Sequence, residues 1–139
     1  MYSDDKIKNK NILHAKLSYN IVGAMLAVYK QLGPGLPEKY YQKALAEELK
    51  KCGIQFEEQV KIDLIYNGKV VGTFYADFIV EKLIVLELKT DRFFSRKNIE
   101  QTFGYLKSLN LQLGILANFT RNGVEYKRIL NIALPLRSS

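Results

Sequence analysis

The sequence predicts a single α/β domain in which one mixed sheet is flanked by helices. Two amphipathic helical segments come first, the hydrophobic period changes from 3.6 to 2 after Gly53, and another helical segment separates the third strand from the fourth. The 139 residues suit one domain with one core, and a hydrophobic content of 47% excludes a disordered chain. We expect a flexible charged leader at residues 1–11 and the domain itself at 12–139.

The two N-terminal helices are bounded by glycine and proline. Apolar residues recur at helical spacing over 12–32, and the Gly-Pro-Gly sequence at 33–35 ends that pattern. The second helix is predicted to begin at Pro37, which suits a first helical turn, and to end at the capping residue Gly53. Cys52 closes its apolar stripe, so we expect a buried, unreactive thiol.

Five strands are expected after the second helix. Residues 60–66 alternate in polarity, Asn67-Gly68 is a strong hairpin signal, and 70–80 is the predicted return strand. A short apolar strand at 83–89, a helix at 98–109 and two further strands at 111–118 and 125–132 complete the order. The helix between the third and fourth strands predicts a right-handed crossover.

Charge and cysteine content narrow the functional class. Lysine and arginine number 21 against 14 acidic residues, a net charge of +7 that favours a polyanionic partner, with a merely basic soluble protein as the alternative. A single cysteine excludes an intrachain disulfide and multi-cysteine zinc sites, and indicates a cytoplasmic protein. No apolar run approaches the roughly 20 residues of a membrane span, and no signal peptide is expected at the N-terminus.

Charged residues interrupt two apolar strands that are predicted to be neighbours. Asp77 lies in the second strand, on the expected face of Tyr75 and Ile79, although aspartate is depleted in strands. Glu87 and Lys89 share a face of the third strand, about 6.6 Å apart at about 3.3 Å per residue. A salt bridge at a sheet edge is the structural alternative for these two residues.

Glu38 lies on the core-facing stripe of the second helix, where its structural alternative is to stabilise the positive end of the helix dipole. Together with Asp77 and Glu87 it would supply hard oxygen ligands for Mg²⁺ or Mn²⁺, next to the ammonium group of Lys89. Such a group can activate a water and stabilise the charge of an attacked phosphodiester.

The strand register tests this hypothesis. If Asp77 faces Glu87, the numbers of paired residues add up to 164, and Val80 pairs with Ile84 across a three-residue turn at 81–83. A two-residue turn at 81–82 would send the two carboxylates to opposite faces. We therefore predict the three-residue turn.

Asp77, followed after nine residues by Glu87-Leu88-Lys89, resembles the core motif of the PD-(D/E)xK nuclease superfamily, in which Ala76 takes the place of the proline. The segment GLPEKYY at 35–41 is similar to the signature of the small bacterial GxxExxY proteins of that superfamily. The resemblance extends over 12–132. It implies a restriction endonuclease-like fold and a metal-dependent nuclease acting on nucleic acid, with DNA expected before RNA.

The resemblance also implies residue roles. Asp77 and Glu87 would be metal ligands, Lys89 would position the water or stabilise the transition state, and Glu38 would complete the site. Gln101 and Tyr105 resemble the QxxxY element of RecB-like members, which implies that they orient Lys89 or contact a substrate phosphate. An exposed helix edge is the structural alternative for Gln101 and Tyr105.

A basic segment with aromatic residues follows the third strand. Its side chains suit a phosphate backbone and a stacked base, while packing of the two phenylalanines under a solvated loop is the structural alternative. These residues are Arg92, Phe93, Phe94, Arg96 and Lys97. Two alternatives to a nuclease stay open at this stage: a catalytically inactive nucleic-acid-binding or regulatory module, and a subunit that binds another protein. Cutting of a duplex at defined positions would require a homodimer, although the sequence identifies no interface for one.

Overall fold

The computed structural model describes residues 13–132, which form three helices and five strands. The helices are α1 (Ala15–Leu32), α2 (Glu38–Lys51) and α3 (Arg96–Leu109). The strands are β1 (Phe56–Tyr66), β2 (Lys69–Val80), β3 (Ile84–Lys89), β4 (Leu113–Thr120) and β5 (Gly123–Leu130). The predicted order of elements is confirmed, whereas the predicted leader at 1–11 lies outside the described residues.

The strands form one sheet in the order β1-β2-β3-β4-β5. Neighbouring strands are antiparallel except β3 and β4, which run parallel because α3 connects them and carries the chain back to the starting edge. The sheet is therefore mixed and is covered by helices on both faces, which confirms the predicted fold class.

Each face of the sheet carries its own apolar core. The core on one face is contributed by α1, α2 and the inward side chains of the strands, including Leu45, Leu49 and Phe78. The core on the other face lies under α3 and includes Leu106 and Leu116. Burial of these side chains is the main stabilising term of the fold. No helix within 13–132 combines the length and the apolarity needed to cross a bilayer.

The turn between α1 and α2 is held by Tyr41. Gly33 and Gly35 adopt φ values of 72° and 94°, a backbone conformation that glycine tolerates without strain. The Tyr41 hydroxyl donates to the Gly33 carbonyl at 2.6 Å and accepts the N–H of Leu36 at 3.2 Å. The ring is fully buried and stacks on Phe119 at 4.6 Å between centroids. Tyr41 is therefore a structural residue that fixes the start of α2.

One expectation about α2 is wrong. Cys52 is exposed, because α2 ends at Lys51 and Gly53 turns the chain with a φ of 73°. Its thiol lies 3.8 Å from a carboxylate oxygen of Glu48 at the surface. The apolar stripe that predicted a buried thiol ends one turn earlier, at Leu49.

Candidate active site

The strand register that brings the two acidic residues together is confirmed. Val80 pairs with Ile84, and the next two pairs inward keep the same sum of residue numbers, 164. The N–H of Leu83 donates to the Val80 carbonyl at 2.9 Å, which closes the three-residue turn. Glu81 and Lys82 adopt left-handed φ values of 53° and 59° to make this turn.

At Asp77 the main-chain pairing of β2 with β3 ends. From there, main-chain N–H groups donate to carboxylate side chains of the neighbouring strand instead. The N–H of Leu88 donates to Asp77 Oδ2 at 2.8 Å, and the N–H of Asp77 donates to Glu87 Oε2 at 2.7 Å. Each carboxylate thus replaces a main-chain acceptor with one of its oxygens. The opening between β2 and β3 therefore becomes a site lined by two carboxylates.

The predicted side-chain alternation of β2 is wrong at this point. Asp77 was expected to share a face with Tyr75 and Ile79, but Ala76 and Ile79 both pack in the core under α3. Because residues three apart in a regular strand face opposite sides, the alternation of side chains must reverse between Ala76 and Ile79. Tyr75, just before this reversal, is 54% exposed. Opposite this reversal Gln59 of β1 has a φ of 48°, so both strands of the hairpin are irregular where the carboxylate lies.

Burial dominates the electrostatics of the carboxylate pair. Asp77 and Glu87 are 9% and 3% exposed. Burial, followed by the neighbouring Asp77 charge, raises the pKa of Glu87 to about 8, and burial likewise raises the pKa of Asp77. Lys89 lowers both pKa values electrostatically, but within residues 13–132 neither carboxylate has a basic nitrogen within 4.0 Å. Within the described residues, therefore, no basic side chain in contact with the pair compensates for its ionisation.

The donor set fits a hard divalent cation. One or two carboxylates are what Mg²⁺ typically takes from a protein, with waters and substrate phosphates as its other ligands. Across residues 13–132 no three His, Cys, Asp or Glu side chains are grouped closely enough to hold a metal together. Asp77 and Glu87 thus fit the cation as a pair, without Glu38 in the same ligand group.

Glu38 lies in the first turn of α2, half-buried and within electrostatic reach of the pair. Burial raises its pKa, Lys89 lowers it and Asp77 raises it, so these charges face a common space. The N–H group of Gln42 Nε2 donates to Glu38 Oε2 at 3.3 Å. The structure therefore places Glu38 beside the two carboxylates, in the position of an outer acidic group.

Two glutamines belong to this site that the sequence interpretation did not include. Hydrogen bonds from Gln59 and Gln42 lower the pKa of Asp77, which places both side chains at its carboxylate. Gln42 could have been found, because it lies four residues after Glu38 and so on the same face of α2. Gln59 could not, because its contact depends on the irregular conformation of β1.

The two residues predicted on α3 have different environments. Tyr105 is 5% exposed, so the predicted alternative of an exposed edge is wrong for it. Burial raises the pKa of Tyr105 to about 12, and the charges of Glu87 and Asp77 add to this, which places its hydroxyl near the pair. Gln101 lies one turn earlier and is half-buried, and no hydrogen bond within the described residues joins it to the carboxylates.

The basic segment divides into exposed and packed residues. Phe93 is 68% exposed, and Arg96 and Lys97 are exposed in the first turn of α3. Phe94 is half-buried, packs against the core under α3 and has Lys127 Nζ at 5.7 Å from its ring centroid. Packing under the loop therefore describes Phe94 but not Phe93. Arg92 is exposed in the loop before α3.

Asn118 is a further polar residue next to the site. It pairs with Lys89 across the parallel strands and is fully buried. Its Nδ2 donates to the Asp91 carbonyl at 2.7 Å, while its Oδ1 has no hydrogen-bond partner among residues 13–132. A buried acceptor without a donor lowers the stability of the fold. Asn118 therefore holds the loop after β3 through its Nδ2 hydrogen bond at a cost in folding free energy.

This arrangement is that of the nuclease class with the restriction endonuclease-like fold. In it, a mixed sheet opens at an Asp and a Glu-x-Lys segment, and a glutamate in the first turn of a helix lies beside them. The sequence profile described as the PD-(D/E)XK nuclease superfamily matches residues 15–129. The chain belongs to this superfamily.

Solved structures share the fold. The structure titled SSO0001 has a TM-score of 0.51 and 21% identity, over 96% of this chain and 64% of the other. An alkaline exonuclease (LHK-Exo) from Laribacter hongkongensis has a TM-score of 0.53 and 12% identity, over 96% of this chain and 77% of the exonuclease. The chain thus spans less than two thirds of the first of these proteins. No curated protein matches the sequence at a significant level.

Proposed function

We propose that the protein is a metal-dependent nuclease that hydrolyses phosphodiester bonds at the site formed by Asp77, Glu87 and Lys89. The observation that carries the proposal is the buried carboxylate pair at the strand opening, with a lysine two residues further along β3. Membership of a nuclease superfamily supports the same chemistry. The similarity at 35–41 to the GxxExxY proteins would make this chain one of that family.

The residues have distinct roles in this proposal. Asp77 and Glu87 would hold Mg²⁺ or Mn²⁺, which when bound supplies Lewis acidity and lowers the pKa of water. Lys89 donates to the negative charge that develops on the attacked phosphate. Glu38 accepts a proton from a water, and Tyr105 forms the wall of the site behind Glu87, with Gln101 contacting substrate one turn away.

The charge distribution supports a nucleic-acid substrate, with DNA as the first candidate. Arg96 and Lys97 occupy the first turn of α3, which carries no acidic residue. Cations at the positive end of a helix dipole reduce stability, but the same end with two cations attracts phosphate. Arg92 lies beside them, and the exposed ring of Phe93 can stack on a base. Since a single cysteine forms no intrachain disulfide, we place this nuclease in the reducing environment of the cytoplasm.

A cleavage assay tests the proposal. Labelled single-stranded and duplex DNA and RNA are incubated with the protein and Mg²⁺, Mn²⁺ or EDTA. We expect metal-dependent cutting that falls by about 100-fold or more in Lys89→Ala, because one positioned charge donor is worth roughly that factor. Lys50→Ala is the matched control, since Lys50 is an exposed lysine of α2 that pairs with Glu47 at the surface.

Equal cutting by wild type and Lys89→Ala would refute this site. No cutting of any substrate by the folded protein, together with salt-dependent binding of nucleic acid, would instead support the inactive binding module.

A further inference from the structure

We propose that β1 is a dimerisation strand, which pairs with β1 of a second copy in antiparallel orientation around a twofold axis at Ile62. The two five-stranded sheets would then form one continuous sheet of ten strands. The inference concerns the outer edge of the sheet and does not depend on the proposed nuclease activity.

The outer edge of β1 is available for pairing. The sheet order ends at β1, and within residues 13–132 its only strand partner is β2. β1 and β2 have 11 and 12 residues, whereas β3 has six and pairs with β2 only over 78–80. The distal half of the β1–β2 hairpin therefore extends beyond the rest of the sheet. A long exposed edge of this kind is a ready template for another strand.

The face of this hairpin that continues from the core under α3 is apolar and exposed. In the register of the hairpin, Ile65 pairs with Val70 and Leu64 with Gly72, while Phe74 pairs with the buried Ile62. On this face Leu64 is 42% and Phe74 40% exposed, while Ile65 and Val70, which lie on the opposite face, are 55% and 56% exposed. An uncharged patch at a free edge is typical of a surface that binds another protein.

The part of β1 that lies between two irregularities of the hairpin is centred on Ile62. It is limited on one side by Gln59, whose φ is 48°, and on the other by the register shift between Leu64 and Ile65, where Val71 of β2 is the extra residue. Residues 60–64 remain, and their centre is Ile62. A twofold axis at this residue pairs Val60 with Leu64 of the partner subunit, so apolar side chains meet on one face.

The opposite face selects a second copy as the occupant, because its charges are self-complementary. Lys61 and Asp63 lie on the same face, with 4.0 Å between Nζ and Oδ1, and are 62% and 39% exposed. A twofold axis at Ile62 places Lys61 opposite Asp63 of the partner subunit, and does so twice. A shift of two residues in either direction would place lysine against lysine or aspartate against aspartate, and odd shifts would place apolar residues opposite charged ones.

Sedimentation equilibrium of the full chain tests the interface with charge reversals at the two positions. We expect a dimeric wild type. Lys61→Asp or Asp63→Lys alone should raise the dimer Kd by about tenfold or more, because two attractive cross-strand pairs become repulsive. The double variant should restore the wild-type Kd, since the pairs are attractive again with their signs exchanged.

Two further samples sharpen the test. An equimolar mixture of the two single variants should form a heterodimer. In the window 60–64 the Asp63→Lys variant then has two lysines and the Lys61→Asp variant two aspartates, so opposite charges meet across the interface. Lys69→Asp, an exposed charge reversal at the hairpin turn outside that window, should leave the Kd unchanged. Circular dichroism verifies that every variant is folded.

A wild type that stays monomeric at its highest soluble concentration would overturn the proposal and leave the edge to a different partner. A dimer whose Kd stays at the wild-type value in both single variants would overturn it as well, since another surface would then hold the subunits together.

Discussion

The buried carboxylate pair predicts that the metal-free protein loses stability as the pH rises from 5 to 8. Burial and the charge of Asp77 raise the pKa of Glu87 from its ordinary 4.5 to about 8. Between these two values the folded state binds more protons than the unfolded state. The free energy of unfolding therefore falls with rising pH: the contribution is fully present below pH 4.5 and is lost as the pH rises through 8.

The size of the effect follows from this pKa difference. At 1.36 kcal/mol per pKa unit the whole difference corresponds to about 5 kcal/mol, of which about 3 to 4 kcal/mol is lost between pH 5 and pH 8. Unfolding entropy of about 2.1 cal/mol/K per residue gives about 0.3 kcal/mol/K for a chain of this length. The melting temperature should thus fall by roughly 10 °C over this pH range.

Thermal melts in EDTA at pH 5 to 8 measure this change, with Glu87→Gln as the informative variant. Glutamine keeps a side-chain oxygen that can accept the N–H of Asp77 but cannot ionise, so most of the pH dependence should disappear. Glu57→Gln, at an exposed position of β1, is the control and should follow the wild type.

Added Mg²⁺ at pH 8 should raise the melting temperature of the wild type more than that of Glu87→Gln, because a ligand that binds the native state stabilises it. The same pH slope in wild type and Glu87→Gln would refute the argument, since the slope could not then come from this carboxylate.

Three further predictions concern packing, the α1–α2 turn and nucleic-acid affinity. Gly114→Ala would place a methyl group 3.0 Å from a side-chain methyl of α3 and should lower the free energy of unfolding by about 1–3 kcal/mol in urea titrations. Gly23→Ala, on an open helical surface, should raise it by about 1 kcal/mol, and the reverse ranking of the two variants would contradict the packing. Tyr41→Phe removes the hydroxyl that bridges the turn and should cost about 1–2 kcal/mol in the same assay, with an unchanged midpoint as the contrary result. Arg96→Ala combined with Lys97→Ala should reduce the slope of log affinity for DNA against log salt by up to about 2, as fluorescence anisotropy would show, and an unaltered slope would exclude this turn from the interface.

Much of the fold could be predicted from the sequence because its signals are local. Hairpin residues Asn67 and Gly68 adopt φ values of 50° and 77°, as an Asn-Gly turn requires, and α1 ends just before Gly33 while α2 begins after Pro37. The pairing of Val80 with Ile84 could also be predicted, because a three-residue turn was the one that placed Asp77 and Glu87 on the same side.

The sequence by itself therefore determined the order of elements, the mixed sheet, and the two strands that carry the carboxylates. Only the tertiary structure decided how these carboxylates are held: Asp77 accepts from Leu88 in place of a main-chain pair, and Gln59 faces it because β1 leaves its regular conformation there. It also decided that Phe94 packs inward while Phe93 stays exposed. Periodicity reports which face a residue takes within one regular element, whereas these features arise from contacts between elements and from irregular backbone that interrupts the period.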